Sequence, residues 1–325
     1  MTDPRARQAA LALSAVTVVW GSTFALTKDV VTDLPVSSFL LWRFGIAVVA
    51  LAAFRPNSVR RLSARDRRRA VLVGLIVFAG FALQSVGLQH TSATTSGFIT
   101  GMFVVLTPLM SGLLFRDRVP ARAWAGIALA TAGLATIALR GWSVGGGELL
   151  TLLGALAFAV EIAVLSRWST PQNAYGLTVI ELGVAGLGGL LLTTLDGGPQ
   201  LPGTASAWAG LVFLALAASA IAFCVQAWSQ AHLSATRTAV IMTGEPVWAG
   251  VAGVLLVGDS VTPRLVVGGL LIIAAMILVE AQTLRWPLRR RDQLVMALRD
   301  QDDHLDVQHG ESTELEQYVL ACPKV

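Results

Sequence analysis

Apolar runs long enough to cross a bilayer follow one another from Ala9 to Ala281, with only short polar breaks between them. A hydrocarbon core about 30 Å thick takes about 20 apolar residues of helix per crossing. Only 14% of the residues are charged, against roughly 25% in soluble domains, and 54% are hydrophobic. A soluble chain of this size has a large core to bury, but this one lacks the polar residues to cover it. Continuous runs, rather than apolar and polar residues in alternation, exclude a transmembrane barrel. The sequence therefore predicts an all-α polytopic membrane protein.

The runs carry an internal repeat. Phe81 to Thr94 reads FALQSVGLQHTSAT, and Phe223 to Thr236 reads FCVQAWSQAHLSAT. Phe, Gln, His and the Ser-Ala-Thr ending recur at one spacing, and a proline follows in each copy, Pro108 and Pro246. A repeat this long marks two related half-domains. The first half is expected over residues 1–142 and the second over 143–284, with a polar tail at 285–325.

Charge in the loops gives the orientation. Arg55, Arg60, Arg61, Arg65, Arg67, Arg68 and Arg69 separate the second and third runs, and Arg116, Arg118 and Arg122 separate the fourth and fifth. Short basic loops stay in the cytoplasm. The matching loop of the second half, Asp196 to Gly203, has no Lys or Arg. That contrast predicts ten transmembrane helices as two inverted five-helix repeats, with both termini cytoplasmic in a cell (plasma or inner) membrane. The first helix is expected to end near Leu26, leaving Lys28 to Pro35 as a link, and Lys28, Arg140 and Arg264 stand alone on the outer side. Asp117 follows Pro108 by nine residues and Asp259 follows Pro246 by thirteen, so the two proline helices are expected to differ in depth. Trp124, Trp142, Trp168, Trp208, Trp228 and Trp286 fall near helix ends, as interfacial residues do. Two cysteines, Cys224 and Cys322, make no disulfide framework. The arginines have no interleaved base-stacking aromatics, so no nucleic acid is expected as a partner. The tail reads as a solvated extension, with a helix near Gln293 to Arg299.

Inverted repeats belong to secondary transporters, whose substrate sites lie near the midplane between the repeats. The chain resembles the ten-helix, EamA-type members of the drug/metabolite transporter superfamily over about residues 9 to 283. The resemblance rests on Trp20-Gly21-Ser22-Thr23-Phe24, Arg43-Phe44, Gly97-Phe98 through Thr107-Pro108-Leu109, and Glu245-Pro246-Val247 followed by Gly258-Asp259. It implies transport of small metabolites, often amino acids, through a central cavity by alternating access. An amino-acid or related metabolite exporter is the expected function.

Polar residues inside the runs are the candidate site. A charge at the bilayer centre costs about 2.5–3.5 kcal/mol on insertion scales, so it faces a cavity or a partner. Arg43 is either an anchor for a substrate carboxylate or one member of a structural pair. Glu181 holds the place in the second half that Arg43 holds in the first, which suggests an ion pair between them. Glu161 and Glu245 are further intramembrane carboxyls, and Glu245, beside a helix-breaking proline, is a candidate for substrate or proton binding. Gln84 and Gln226 are the repeat-related amides, and Trp20, Ser22 and Thr23 are candidate cavity residues. Pro108 and Pro246 are expected to kink their helices, and Gly97 and Gly101 to allow close packing.

No metal, cofactor or catalytic residue is expected. Only four histidines are present, and the chain has no P-loop or HExxH. A polytopic membrane enzyme and a membrane sensor are the alternatives to a transporter. Substrate and lipid bilayer are the expected partners, with proton coupling and a homodimer left open.

Overall fold

The structure, a computed structural model, describes residues 4–116, 121–140, 143–233, 238, 241–242 and 244–280. Expectations for Asp117, Arg118, Trp142, Trp286, Cys322 and the tail fall outside these residues.

Among the described residues, twelve α-helical segments make up ten rods. In the first half these are α1 (Pro4–Asp33), α2 (Val36–Phe54), α3 (Ala64–Gln89), α4 (Ala93–Thr100) continued by α5 (Phe103–Phe115), and α6 (Ala121–Ala138). A two-residue antiparallel pair, Leu139–Arg140 with Ser143–Val144, links the halves. The second half has α7 (Gly146–Trp168), α8 (Ala174–Thr193), α9 (Ala205–Ala215) joined to α10 (Ala222–Gln230), α11 (Gly244–Ala252), and α12 (Pro263–Glu280). A π-helical turn, Leu216–Ile221, joins α9 to α10, and another, Gly253–Val257, extends α11. Among the described residues seven helices are long and apolar enough to cross a membrane, and three shorter apolar ones complete the set.

Local chemistry sets the helix starts. Ser63, Ser92 and Thr204 each accept a hydrogen bond from a backbone N–H of the first turn, at 3.0–3.1 Å. Such caps satisfy donors that a helix start leaves unpaired. Ser63 explains why α3 begins six residues before the expected Ala70. The link expected from Lys28 is helical as far as Asp33, because Lys28 has a partner. Its Nζ donates to the Thr91 carbonyl at 2.6 Å.

The packing is two-fold. The third rod, α3, packs on α7 and α8, and the eighth, α9–α10, packs correspondingly on α1 and α2. The fourth rod meets α7 as α11 meets α1, while α2 pairs with α8 and α6 with α12. Each half has five crossings, an odd number, so the second half enters from the opposite side. Polar contacts between rod ends agree with this count. Lys28–Thr91, Gln89–Val31, Thr94–Asp259, Ser37–Asp196 and Gln200–Ser38 join helix ends and loops at one end. Tyr175–Leu51 and Ser229–Ala9 join elements at the other, where Arg69 also lies over Trp168.

The two proline helices end alike. Arg116 and Gly258 close the fourth and ninth rods in the left-handed conformation, at φ 58° and 74°. They lie equally far along the sequence from the repeat-related Thr94 and Thr236. The rods are therefore in register at their ends, and only the prolines stand a turn apart. Pro108 lies inside α5, and Pro246 is buried in α11.

The outer surface is apolar, with Val49, Leu75, Leu191, Leu255, Leu270 and Ile277 all exposed. In a bilayer these faces meet lipid. The interior core runs through both halves, from Leu13 and Phe44 to Leu182, Leu214 and Ile272.

Candidate functional site

A cavity of about 580 Å3, counting its open mouth, lies between the halves. Helices α1, α2, α3, α4, α5, α7, α10 and α11 contribute to its wall, together with Met242. Seven of the nine sequence candidates line it, namely Trp20, Thr23, Arg43, Gln84, Glu161, Gln226 and Glu245. Ser22 and Glu181 do not. Ser22 spends its hydroxyl on the Val19 carbonyl one turn back, and Glu181 borders a separate small hollow with Arg69 and Trp168.

Arg43 is the fixed cation of the cavity. Its side chain is 2% exposed. The guanidinium sits 4.6 Å from the Phe81 ring centroid, 5.5 Å from Phe44 and 5.7 Å from Phe39. Aromatic faces attract cations through their ring quadrupoles, more strongly away from water. Nε donates to Ser219 Oγ at 2.8 Å, and Ser219 donates in turn to the Leu214 carbonyl at 2.9 Å. The expected pair with Glu181 is not formed, for Arg43 has no ion pair among the described residues. Rings and one hydroxyl hold it instead, and its other N–H groups make no hydrogen bond to a described residue. A planar, always-charged fork of this kind suits a carboxylate.

The π-turn at Leu216–Ile221 builds this part of the wall. It presents Ser219 to Arg43, and the Ala218 carbonyl to Trp20 Nε1 at 2.8 Å. A π-turn widens a helix and changes the direction of its carbonyls, and such turns recur at functional sites. Trp20 also meets the edge of Phe223, with ring centroids 5.6 Å apart.

Close approach of α1 to α11 brings Trp20 and Glu245 into one cavity. A Cβ on Gly21 would lie 2.5 Å from Trp248 Cβ and 2.7 Å from the Glu245 carbonyl, so only glycine fits. Gly97 has the same role where α4 meets Ala249. Gly101 instead caps the end of α4, where the rod breaks beside Thr100 and Phe103.

The repeat-related amides have different partners. Gln84 Nε2 donates to Thr100 Oγ1 at 3.0 Å, whereas Gln226 lies beside Glu161. Sequence reasoning missed Thr27, Thr100, Phe81, Phe158, Phe223 and Met242, which also line the cavity. In an apolar run a Phe or Thr gives no sign of facing a cavity rather than lipid. The shared Phe of the repeat, Phe81 and Phe223, was the one usable signal. Among the described residues no three His, Cys, Asp or Glu side chains gather as a metal site would require.

A sequence model of the EamA-like transporter family matches residues 7–139 and 145–281. The chain belongs to that family. Its members are transporters, so the chain is a membrane transporter rather than an enzyme. An uncharacterized transporter of Archaeoglobus fulgidus is 30% identical over 83% of this chain and 85% of its own length. A protein of Streptantibioticus cattleyicolor named as a probable terminal-alkyne amino-acid exporter is also 30% identical, over 88% of this chain and 96% of its own. The inner membrane transporter YedA of Escherichia coli, uncharacterized, is 26% identical over 77% of this chain and 83% of its own. A crystal structure with 21% identity covers 86% of this chain and 99% of its own, at a TM-score of 0.59, and shares the fold.

Proposed function

We propose that this EamA-type transporter exports an amino acid, or a closely related amphiphile, by alternating access between its two halves. The observation that carries the reading is Arg43. A guanidinium seated on three aromatic rings, without a carboxylate partner among the described residues, is ready for the carboxylate of a ligand. Glu245 and Glu161 reach the same cavity from α11 and α7 and supply acceptors for a substrate ammonium. Trp20, Phe81 and Phe223 offer apolar and aromatic surface to a side chain, and Gln84, Gln226 and Thr23 offer hydrogen bonds. The Streptantibioticus relative, named for an amino-acid substrate, supports this class.

Residues 1–142 and 143–284 act as the two moving units in this reading, and 285–325 is a cytoplasmic tail. The basic loop between α2 and α3 faces the cytoplasm, which puts both termini there. The other end of the bundle carries Asp29, Asp33, Glu148, Asp196 and Asp259. Transport is proton-coupled.

Ligand competition on the purified protein tests the substrate class. A labelled amino acid should bind saturably. Its decarboxylated amine and its deaminated acid should each compete poorly, because each lacks one of the two charges. If the amine competes as well as the amino acid, the role of Arg43 is refuted, and if the acid does, the role of the glutamates is.

A further inference from the structure

The substrate reading leaves one buried group unused. Glu181 is 1% exposed and Glu161 3% exposed, on the consecutive helices α8 and α7, which both pack on α3. They lie close enough to repel one another when both are charged. Glu161 reaches the cavity wall, whereas Glu181 stands behind it. The Oε1 atom of each has no hydrogen-bond partner among the described residues. Neither does Oε1 of Gln226, a side chain 2% exposed that lies beside Glu161. No described cation lies within ion-pair distance of either carboxyl.

Two bare carboxylates side by side in a dry interior have nothing to offset their desolvation or their repulsion. Neighbouring carboxyls elsewhere solve this by sharing a proton and titrating as a pair. We propose that Glu161 and Glu181 together form the proton-binding site that couples transport to a pH gradient, with Glu161 as the member that meets the substrate. This rests on the transport reading above. In the empty cavity the pair shares one proton, which the charge of Glu181 beside Glu161 retains. A substrate ammonium beside Glu161 takes that proton's place, and the proton leaves to the cytoplasm. When the substrate leaves, the pair takes up a proton from the newly opened side. One proton then enters for each substrate that goes out, and no other bond is made or broken.

The groups that face the pair are few. Cys224 of α10 is in electrostatic range of Glu181, and Arg69 of α3 borders the same small hollow. Across the main cavity Glu161 shares walls with Arg43 of α2, Gln84 of α3 and Glu245 of α11. Arg43 and Glu245 engage the substrate, so the pair is the site that remains for the proton.

The test has a substrate-independent arm and a transport arm. Infrared difference spectra of the lipid-reconstituted protein, taken on raising the pH, should show a carboxyl C=O band that titrates. The band should be lost or shifted in Glu181→Gln and kept in Glu181→Asp. In proteoliposomes, accumulation driven by a pH gradient should fall in Glu181→Gln to the level seen without a gradient, while substrate counterflow remains measurable. Glu181→Asp should restore part of the accumulation. A Glu181→Gln spectrum identical to wild type, undiminished accumulation in that variant, or accumulation driven by sodium instead of protons would overturn the proposal. If wild type moves no amino acid, the spectra still decide whether the pair holds the proton, and only the substrate reading falls.

Discussion

Arg43 and Glu181 stand at matching places in repeat-related helices, each seven residues after the first residue of its own, Val36 and Ala174. One points a cation into the cavity, and the other is buried behind the wall. The rods that carry them pack in a two-fold way, yet the chemistry they carry is not two-fold. A transporter needs similar halves so that its two end states can have similar energies, but its substrate has distinct ends. Symmetry is thus kept in helix contacts and helix ends, and broken at the side chains that meet the ligand. The amides show the same thing on a smaller scale, since Gln84 is tied to Thr100 while Gln226 lies beside Glu161.

The largest expected effect comes from removing the cation. Arg43→Gln should weaken amino-acid binding by about 1.5–3 kcal/mol, the worth of a charged hydrogen bond, or roughly ten- to hundred-fold in Kd. Arg43→Lys should rescue little, because an ammonium cannot both stack on Phe81 and reach Ser219 while offering a fork. Binding isotherms of the three proteins decide this, and full rescue by Lys would reduce Arg43 to a point charge.

Next is the contact that builds the cavity. Gly21→Val should lower the thermal midpoint of the detergent-solubilised protein, since overpacking costs about 1–3 kcal/mol and the clash here is with backbone as well as side chain. An unchanged midpoint would mean that α1 and α11 are not held this close. A smaller effect is expected from Ser219→Ala. It removes one neutral partner of Arg43 and should weaken substrate binding by about 0.5–1.5 kcal/mol without unfolding the protein. The smallest concerns the amides. Gln226→Leu should impair transport more than Gln84→Leu, because Gln226 lies beside the carboxyl that meets the substrate. Equal losses would restore to the site the symmetry that Arg43 and Glu181 break.

The fold was legible because bilayer thickness turns apolar length directly into crossings. Boundaries were less so. Lys28 and Asp29 read as a loop, yet α1 runs through them, because Lys28 finds the Thr91 carbonyl. The different proline spacings suggested different depths, but Arg116 and Gly258 show that the rods end alike. Charged members of the site stood out, since Arg43, Glu161 and Glu245 interrupt apolar runs. Glu181 stood out equally and is not on the cavity wall, because charge marks burial among helices without saying which gap it faces. The π-turn that presents Ser219 and the Ala218 carbonyl had no sequence signal, as Leu216–Ile221 reads like any apolar helix.

The central claim is that the cavity around Arg43 is the transport site. Saturable counterflow of a labelled amino-acid panel into proteoliposomes, wild type against Arg43→Gln of matched folding, tests it most directly. The account predicts counterflow of amino acids by wild type and its loss in the variant. Equal counterflow in the two proteins would contradict it and place the substrate elsewhere.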